Sequence, residues 1–312
     1  MFAIRSVSIM RRMNSRQATK WVIILLTLLT TIYACTPLGQ PTLPSTQISA
    51  TSIPQRTLTP VPPTSTATAT QTPLACLTQT GRVEEGRLDS TNPAQAYFIY
   101  VPPCYDEKTD ERYPVLYLLH GQTYTYDQWI RLGVVDVIDE LILSGQAVPL
   151  IIVFPDDRYW NLPSGSGFGQ RLVNDLIPYV DQNYRTIADR DQRAIGGMSR
   201  GAGWALRLGL THWQLFGTIG LHSLAVLQKD SSKILGWLSD IPRSSQPRVF
   251  MDVGDNDQEL MMAQLVENQF NRFGLSHEWH LYSGAHTEEY WRAHVEEYIR
   301  WYAEDWNKAL SQ

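Results

Sequence analysis

From residue 97 onward, short apolar runs alternate with stretches in which apolar residues recur every three or four positions. Runs such as residues 113–119 and 149–155 are typical of strands that a sheet buries on both faces, whereas the periodic stretches predict amphipathic helices. The predicted strands are residues 97–101, 113–119, 149–155, 192–195, 216–221, 248–253 and 277–282. The predicted helices cover residues 128–144, 172–184, 260–273 and 289–307, with another beginning at residues 204–209. This alternation predicts a mostly parallel sheet with helices on both faces and with chemistry in the loops at the strands' carboxyl ends.

The most distinctive motif follows the predicted strand at residues 192–195. It contains Gly197-x-Ser199-x-Gly201, the pattern of a nucleophile elbow, in which a serine sits on a strained turn between a strand and a helix. The glycines leave room for neighbouring backbone and tolerate the dihedral angles of the turn. Alone the motif is weak evidence, because chance produces it in about one chain in ten of this length. Ser199 is a candidate nucleophile if an acid and a histidine follow in suitable loops.

The first 75 residues differ in composition from the rest. Residues 1–20 are basic and acid-free, and residues 21–33 form an apolar run that is short for a membrane span, as in a secretion signal. The run ends at Ile32-Tyr33-Ala34-Cys35, which resembles the lipobox of bacterial lipoproteins. Cys35 is therefore predicted to carry a lipid that anchors the exported protein to a membrane. The alternatives are an ordinary cleaved signal and an uncleaved anchor.

A segment rich in threonine, proline and serine follows the signal. Such a composition cannot bury enough apolar surface to fold, and it predicts an extended stalk. The predicted organisation is a signal segment over residues 1–35, a disordered linker over residues 36–75 and one catalytic-size domain over residues 76–312.

Charge and cysteine content indicate which partners and which compartment are compatible with that domain. The chain of 312 residues has a formal net charge of -5, and from Cys76 onward it carries 20 basic against 31 acidic side chains. This balance argues against a nucleic-acid partner or a general anionic-membrane surface. Because disulfides persist in exported domains, Cys76 and Cys104 are predicted to pair. Two free buried thiols are the alternative.

The candidate base and acid lie in loops after later strands. In folds built around such an elbow, the acid and then the histidine follow the serine along the chain. Of the seven histidines, only His286 lies in a loop between the last predicted strand and the last helix. The loop after residues 248–253 offers Asp255 and Asp257, and either could orient the imidazole. A calcium loop is the competing interpretation, but Leu260 stands where such loops need glycine, so we expect no metal.

Acyl transfer also needs two preorganised donors for the oxyanion. We assign the backbone N–H of Arg200, directly after Ser199, and the backbone N–H of Gln122, in the loop after residues 113–119. His120 is expected to support this loop rather than to act as a base.

Together these segments resemble the "putative esterase" family of α/β-hydrolases, which includes S-formylglutathione hydrolase (esterase D), feruloyl and acetylxylan esterases, enterochelin esterases and the mycolyltransferases. The resemblance extends over residues 97–303. It rests on Val101-Pro102-Pro103, residues 113–121, Leu176-x-Pro178-Tyr179-x-Asp181-x-x-Tyr184-Arg185, Gly196-Gly197-x-Ser199-Arg200-Gly201, Gly254-x-x-Asp257 and Gly284-x-His286.

The resemblance selects Asp257 over Asp255, because the aspartate of the family's Gly-x-x-Asp motif is the acid of the catalytic triad. It implies the α/β-hydrolase fold and the hydrolysis of carboxylic esters through an acyl-enzyme on Ser199, with His286 as base and without a cofactor. Two alternatives remain, an acyltransferase similar to the mycolyltransferases and a surface binding protein without turnover.

The substrate is the least defined part of the prediction. A location outside the cytoplasm favours polysaccharide-linked feruloyl or acetyl esters, or siderophore esters, over a cytosolic formylglutathione substrate. The candidate substrate lining lies in or near the carboxyl-end loops and consists of Tyr124, Asp156, Asp157, Arg158, Tyr159, Trp160 and the loop around Gly165. The aromatic residues there could stack on a sugar or a feruloyl ring, and the alternative is that they pack over the edge of the sheet.

Overall fold

The computed structural model describes residues 75–158 and 167–310. Cys35, the predicted signal and nearly all of the linker lie outside this range, as do Tyr159, Trp160 and Gly165 of the expected substrate lining. The predicted domain boundaries and the lipid anchor therefore stay predictions. Within the described ranges, no helix is both long and apolar enough to cross a membrane.

A single eight-stranded sheet forms the centre of the described part of the chain. Its strands are β1 (Arg82–Leu88), β2 (Gln95–Val101), β3 (Val115–Leu119), β4 (Ile151–Pro155), β5 (Arg193–Met198), β6 (Thr218–His222), β7 (Arg248–Gly254) and β8 (Glu278–Tyr282). Their order across the sheet is β1-β2-β4-β3-β5-β6-β7-β8. Strand β2 is antiparallel to both of its neighbours, and all other pairs are parallel. The predicted mostly parallel sheet is confirmed.

Helices cover both faces of the sheet, as predicted. The α-helices are α1 (Gln128–Arg131), α2 (Val134–Leu143), α3 (Phe168–Arg171), α4 (Ile177–Asn183), α5 (Arg200–Thr211), α6 (Ile234–Ser239), α7 (Leu260–Phe273) and α8 (Glu288–Leu310). A π-helical turn at Leu172–Leu176 joins α3 to α4. Helices α1, α2 and α8 pack on one face around Trp129 and Tyr298, and α3 to α7 pack on the other.

Four elements differ from the sequence prediction. The helix predicted over residues 172–184 begins earlier, at Phe168, and consists of α3, the π-helical turn and α4. The helix predicted over residues 128–144 is divided into α1 and α2 by Gly133, whose φ of 99° lies in the left-handed region that favours glycine. Strand β1 was missed because most of its side chains are charged and exposed, as is common in an edge strand. The six-residue helix α6 was also missed, since it is too short for a clear helical period.

The register of the parallel strands brings their carboxyl ends together. Met198 of β5 pairs with His222 of β6, which in turn pairs with Asp252 of β7. The elbow after β5 and the loops after β6 and β7 therefore begin at nearly the same level along one edge of the sheet, as expected for an open α/β sheet.

A disulfide joins Cys76 to Cys104, which is the pairing predicted from the sequence. Cys76 lies in the 3₁₀ turn Ala75–Thr78, and Cys104 follows β2. Both side chains are buried. The bond therefore fastens the first described turn to the loop after an early strand.

Replacing both cysteines by alanine is expected to lower the free energy of unfolding by about 3 kcal/mol, because the cross-link restricts the unfolded chain over a separation of 28 residues. Urea unfolding of the double variant and the parent protein measures the difference. An unchanged urea midpoint would show that the disulfide contributes no stability.

Candidate active site

Ser199 occupies a strained turn between β5 and α5. Its dihedral angles are φ 53° and ψ -120°, which a residue with a side chain rarely adopts. The turn lies tightly against the end of β3, since a Cβ atom on Gly201 would approach the carbonyl oxygen of Leu119 to 2.2 Å. Gly197 is confined in the same way, because its Cβ atom would lie 2.5 Å from the carbonyl carbon of Gly201. The sequence motif therefore forms the predicted elbow, with Ser199 partly exposed.

The structure brings Ser199, His286 and Asp257 into one hydrogen-bonded line. The Ser199 hydroxyl lies 2.8 Å from Nε2 of His286. On the other side of the ring, Nδ1–H of His286 donates to the Asp257 carboxylate at 2.9 and 3.0 Å. This pairing places the imidazole proton on Nδ1, so Nε2 can accept a proton from the serine.

The environment of Asp257 favours its ionised form. Burial alone would raise the pKa of this carboxyl, but hydrogen bonds from His286, from the backbone N–H of Glu259 and from Ser223 outweigh it and hold the pKa below the usual value. The bond from Glu259 is 2.8 Å long. A carboxylate that stays ionised can stabilise a positive charge on the imidazole beside it.

The neighbouring aspartate has a different place in the same loop. The carboxylate of Asp255 accepts the backbone N–H of Gly284 at 3.0 Å, and the N–H of Asn256 donates to the Gly284 carbonyl at 2.8 Å. A Cβ atom on Gly254 would lie only 2.3 Å from that carbonyl oxygen. Asp255 thus joins the loop of Asp257 to the loop of His286, and only Asp257 reaches the imidazole.

The loop after β3 is held by His120. Nδ1–H of its imidazole donates to the Gly121 carbonyl at 2.8 Å, and its Nε2 accepts the N–H of Asp157 at 2.8 Å. The N–H of Tyr124 donates to the same carbonyl at 3.3 Å. In a planar trans peptide the N–H points away from the C=O, so these two donors also fix the direction of the Gln122 N–H. His120 therefore supports the loop, as expected.

The second assigned donor lies at the start of a helix. Arg200 is the first residue of α5, where backbone N–H groups face out of the helix N-terminus. Its guanidinium donates to the Asp157 carboxylate at 2.8 Å. This contact connects the elbow to the loop after β4.

Comparison with known proteins places the chain in a family. Residues 90–302, more than half of the chain, match a family model described as "Putative esterase". The chain belongs to this esterase family. The matched range contains Ser199, Asp257 and His286.

Two curated relatives match about two fifths of the chain. One is an endo-1,4-beta-xylanase/feruloyl esterase of Xylanibacter ruminicola, 33% identical over 146 residues, which are 43% of this chain and 20% of that protein. The other is an esterase of Mycobacterium tuberculosis, 33% identical over 144 residues, or 42% of this chain and 30% of that protein. The chain therefore aligns with less than a third of the length of either relative.

Solved structures of esterases share the fold. A ferulic acid esterase superposes with a TM-score of 0.65 and 25% identity, covering 72% of this chain and 98% of the other. An S-formylglutathione hydrolase of Staphylococcus aureus superposes with a TM-score of 0.60 and 16% identity, covering 72% and 97%. The predicted α/β-hydrolase fold is confirmed.

Part of the expected substrate lining is wrong. The Asp156 and Asp157 side chains are buried, at 3% and 4% exposure for the whole residues. Asp156 pairs with Arg158, and Asp157 accepts the Trp204 indole N–H at 2.8 Å in addition to Arg200. Both carboxylates instead hold the loop after β4 in place. Tyr124 is exposed and lies beside Gly121.

The residues that surround the His286 ring were not predicted from the sequence. The Trp291 indole meets this imidazole edge to face, with ring centroids 5.0 Å apart, and donates its N–H to the Ser223 hydroxyl at 3.0 Å. Ser223 is fully buried and hydrogen-bonds to Asp257. Helical periodicity could have shown that Trp291 is buried, but no local signal links it to a serine 68 residues away.

A fully buried polar cluster lies under the loops of the acid and the base. The Asp252 carboxylate accepts Nδ1–H of His222 and the hydroxyls of Tyr290 and Tyr298, each at 2.7 Å. Nε2 of His222 lies 3.0 Å from the Tyr302 hydroxyl. His222 and Asp252 are less than 2% exposed, so this second histidine–aspartate pair cannot meet a substrate.

Replacing Gly201 by alanine is expected to lower stability by about 1–3 kcal/mol and to reduce ester hydrolysis sharply, because the added methyl group forces the elbow away from β3. Gly236→Ala is the matched control in helix α6, where a Cβ atom would meet nothing within 4 Å. It should be neutral or stabilising by about 0.5 kcal/mol. Thermal unfolding and hydrolysis assays measure both effects, and equal behaviour of the two variants would contradict the tight packing at the elbow.

Proposed function

We propose that this chain is a serine carboxylic ester hydrolase with Ser199 as nucleophile, His286 as general base and Asp257 as the acid that orients it. The observation that carries the proposal is the continuous line of hydrogen bonds from the Ser199 hydroxyl to the Asp257 carboxylate. Membership of the esterase family supports the same reaction class.

In the first half of the reaction, the Ser199 oxygen attacks the ester carbonyl carbon while its proton moves to Nε2 of His286. Asp257 stabilises the imidazolium that forms and keeps the ring in place. The carbonyl oxygen becomes an oxyanion, which accepts the backbone N–H groups of Gln122 and Arg200. The imidazolium then protonates the leaving alcohol oxygen, the ester C–O bond breaks, and an acyl-Ser199 ester remains.

In the second half, water takes the place of the alcohol. The water oxygen attacks the acyl carbon while His286 accepts a proton from this water. The backbone N–H groups of Gln122 and Arg200 again donate to the oxyanion that forms. The tetrahedral intermediate collapses, the bond to the Ser199 oxygen breaks, and the imidazolium returns its proton to that oxygen. The products are a carboxylic acid and the free enzyme. Every step uses groups of this chain and water.

We propose feruloyl or acetyl groups on polysaccharides as the substrate class, with siderophore-type esters as the next candidate. The names of a matched xylanase/feruloyl esterase and of a ferulic acid esterase structure support a feruloyl substrate. The Cys76–Cys104 disulfide supports a location outside the cytoplasm, where such bonds persist. Anchoring through a lipid on Cys35 is part of the same proposal.

Ser199→Ala is expected to lower the hydrolysis of methyl ferulate and p-nitrophenyl acetate by about 10⁵-fold or more, because the nucleophile is lost. Labelling by a fluorophosphonate should disappear with it. The measurement uses the full-length protein, and S-formylglutathione and feruloylated xylan fragments complete the substrate series. Turnover by the variant within about tenfold of the parent protein would refute the role of Ser199. A preference for S-formylglutathione would refute the substrate class, and ester formation with an added alcohol in place of hydrolysis would identify an acyltransferase.

Asp257→Asn and Asp255→Asn form a matched pair in one loop. Asp257→Asn should lower kcat by about 10³- to 10⁴-fold, because an amide can neither stabilise the imidazolium nor enforce the tautomer with the proton on Nδ1. Asp255→Asn keeps an oxygen for the Gly284 N–H and should retain most of the activity. Steady-state hydrolysis of p-nitrophenyl acetate measures both, and a larger loss in Asp255→Asn would reverse the assignment of the acid.

A further inference from the structure

Gln128 is a fully buried polar residue at the start of helix α1, between two loops of the candidate site. Its side-chain amide is hydrogen-bonded at both ends. Oε1 accepts the backbone N–H of Gly121 at 2.9 Å, and Nε2 donates to the Glu288 carboxylate at 3.1 Å. A buried amide that connects two separate segments is costly unless it is satisfied, and both of its ends have a partner here.

The first of these bonds bears on the proposed oxyanion hole. Because the Gly121 N–H donates to Gln128, it cannot at the same time donate to an oxyanion. The carbonyl of Gly121 is held by His120 and by the N–H of Tyr124. Both peptide groups of Gly121 are therefore fixed in direction, and the N–H of Gln122 is the next donor along the loop that the reaction can use.

The second bond reaches the loop of the proposed base. Glu288 opens helix α8 and lies two residues after His286. The guanidinium of Arg131 also donates to this carboxylate, at 3.3 Å. One side chain thus spans from the loop after β3 to the segment that carries the imidazole, a connection between positions 160 residues apart in the chain.

We propose that Gln128 is a positioning residue. It fixes the position of the oxyanion-hole loop after β3 relative to His286. This inference rests on the proposed esterase function. An amide suits the place because it accepts at one end and donates at the other. A carboxylate in its place would keep the bond to Gly121 but would face Glu288 with like charge, and a thioether would make neither bond well.

The experiment compares Gln128→Met, Gln128→Glu, Glu288→Gln and the double variant Gln128→Glu/Glu288→Gln in the full-length protein. The double variant reverses the direction of the bond, because the new amide at position 288 would donate to the new carboxylate at position 128. Gln269→Met is the matched control, since the Gln269 amide on helix α7 donates to the Ser231 carbonyl, outside the candidate site. Each protein is assayed for kcat and KM with an ester and with its thiono analogue, in which sulfur replaces the carbonyl oxygen.

Gln128→Met and Gln128→Glu are expected to lower kcat for the ester by about 10- to 100-fold with little change in KM, because a displaced donor loses stabilisation in the transition state alone. The ratio of ester to thiono-ester turnover should fall in both variants, since sulfur is a weak acceptor and gains little from a well-placed N–H. The double variant should recover most of the ester activity. Glu288→Gln keeps an oxygen that can accept Nε2–H of Gln128, so its loss of kcat should be smaller than that of either Gln128 variant. Gln269→Met should match the parent protein.

Three results would overturn the inference: an unchanged ester to thiono-ester ratio in Gln128→Met and Gln128→Glu, a change confined to KM, or a double variant no better than Gln128→Glu. Thermal unfolding identifies a variant that is merely unfolded, and Gln128→Glu keeps the acceptor for Gly121 if the methionine variant fails to fold. If the parent protein shows no Ser199-dependent hydrolysis, the proposed function fails instead. The parent and Ser199→Ala assays therefore separate the two failures.

Discussion

The contact between the first turn of α5 and the last carbonyl of β3 is the constraint on which the site depends. Because Gly201 leaves no Cβ atom between them, the elbow can lie directly against Leu119 and His120. The same contact brings Ser199 beside the loop after β3, where the proposed oxyanion donor lies. The strain at Ser199 is kept by backbone bonds on both sides, from its own N–H to the His222 carbonyl and from the N–H of Ala225 to the Ser199 carbonyl.

Polar contacts between loops, rather than the strands alone, fix the relative positions of the proposed catalytic groups. The parallel strands place the loops at one edge of the sheet, but strand register alone does not fix the conformation of each loop. His120 connects the loop after β3 to that after β4, Asp255 connects the loop of the acid to that of the base, and Gln128 connects the loop after β3 to the start of α8. Since each such group is costly to bury without a partner, alternative loop arrangements are disfavoured.

The sequence predicted the parts of the fold and the site that have a local signature. The continuous apolar strands, the elbow glycines and the histidine between β8 and α8 can each be read within ten residues, and the structure brings Ser199, Asp257 and His286 together as expected. Asp157, Gln128 and Trp291 could not be assigned in this way. Each of them has a partner between 43 and 160 residues away, and nothing in its own neighbourhood reveals that distant partner.

The buried Asp252 carboxylate helps to fix the closing helix beside the proposed base. A buried carboxyl group is costly unless its oxygens are hydrogen-bonded, and this one has His222 from β6 and two tyrosines from α8 as partners. Tyr290 lies four residues after His286, so the network fixes the first turn of α8 from the interior. Gln128 reaches the same turn through Glu288, at the edge of the interior. The short loop that carries His286 is therefore held at its helical end by two independent polar contacts, and at its strand end by Asp255 through Gly284.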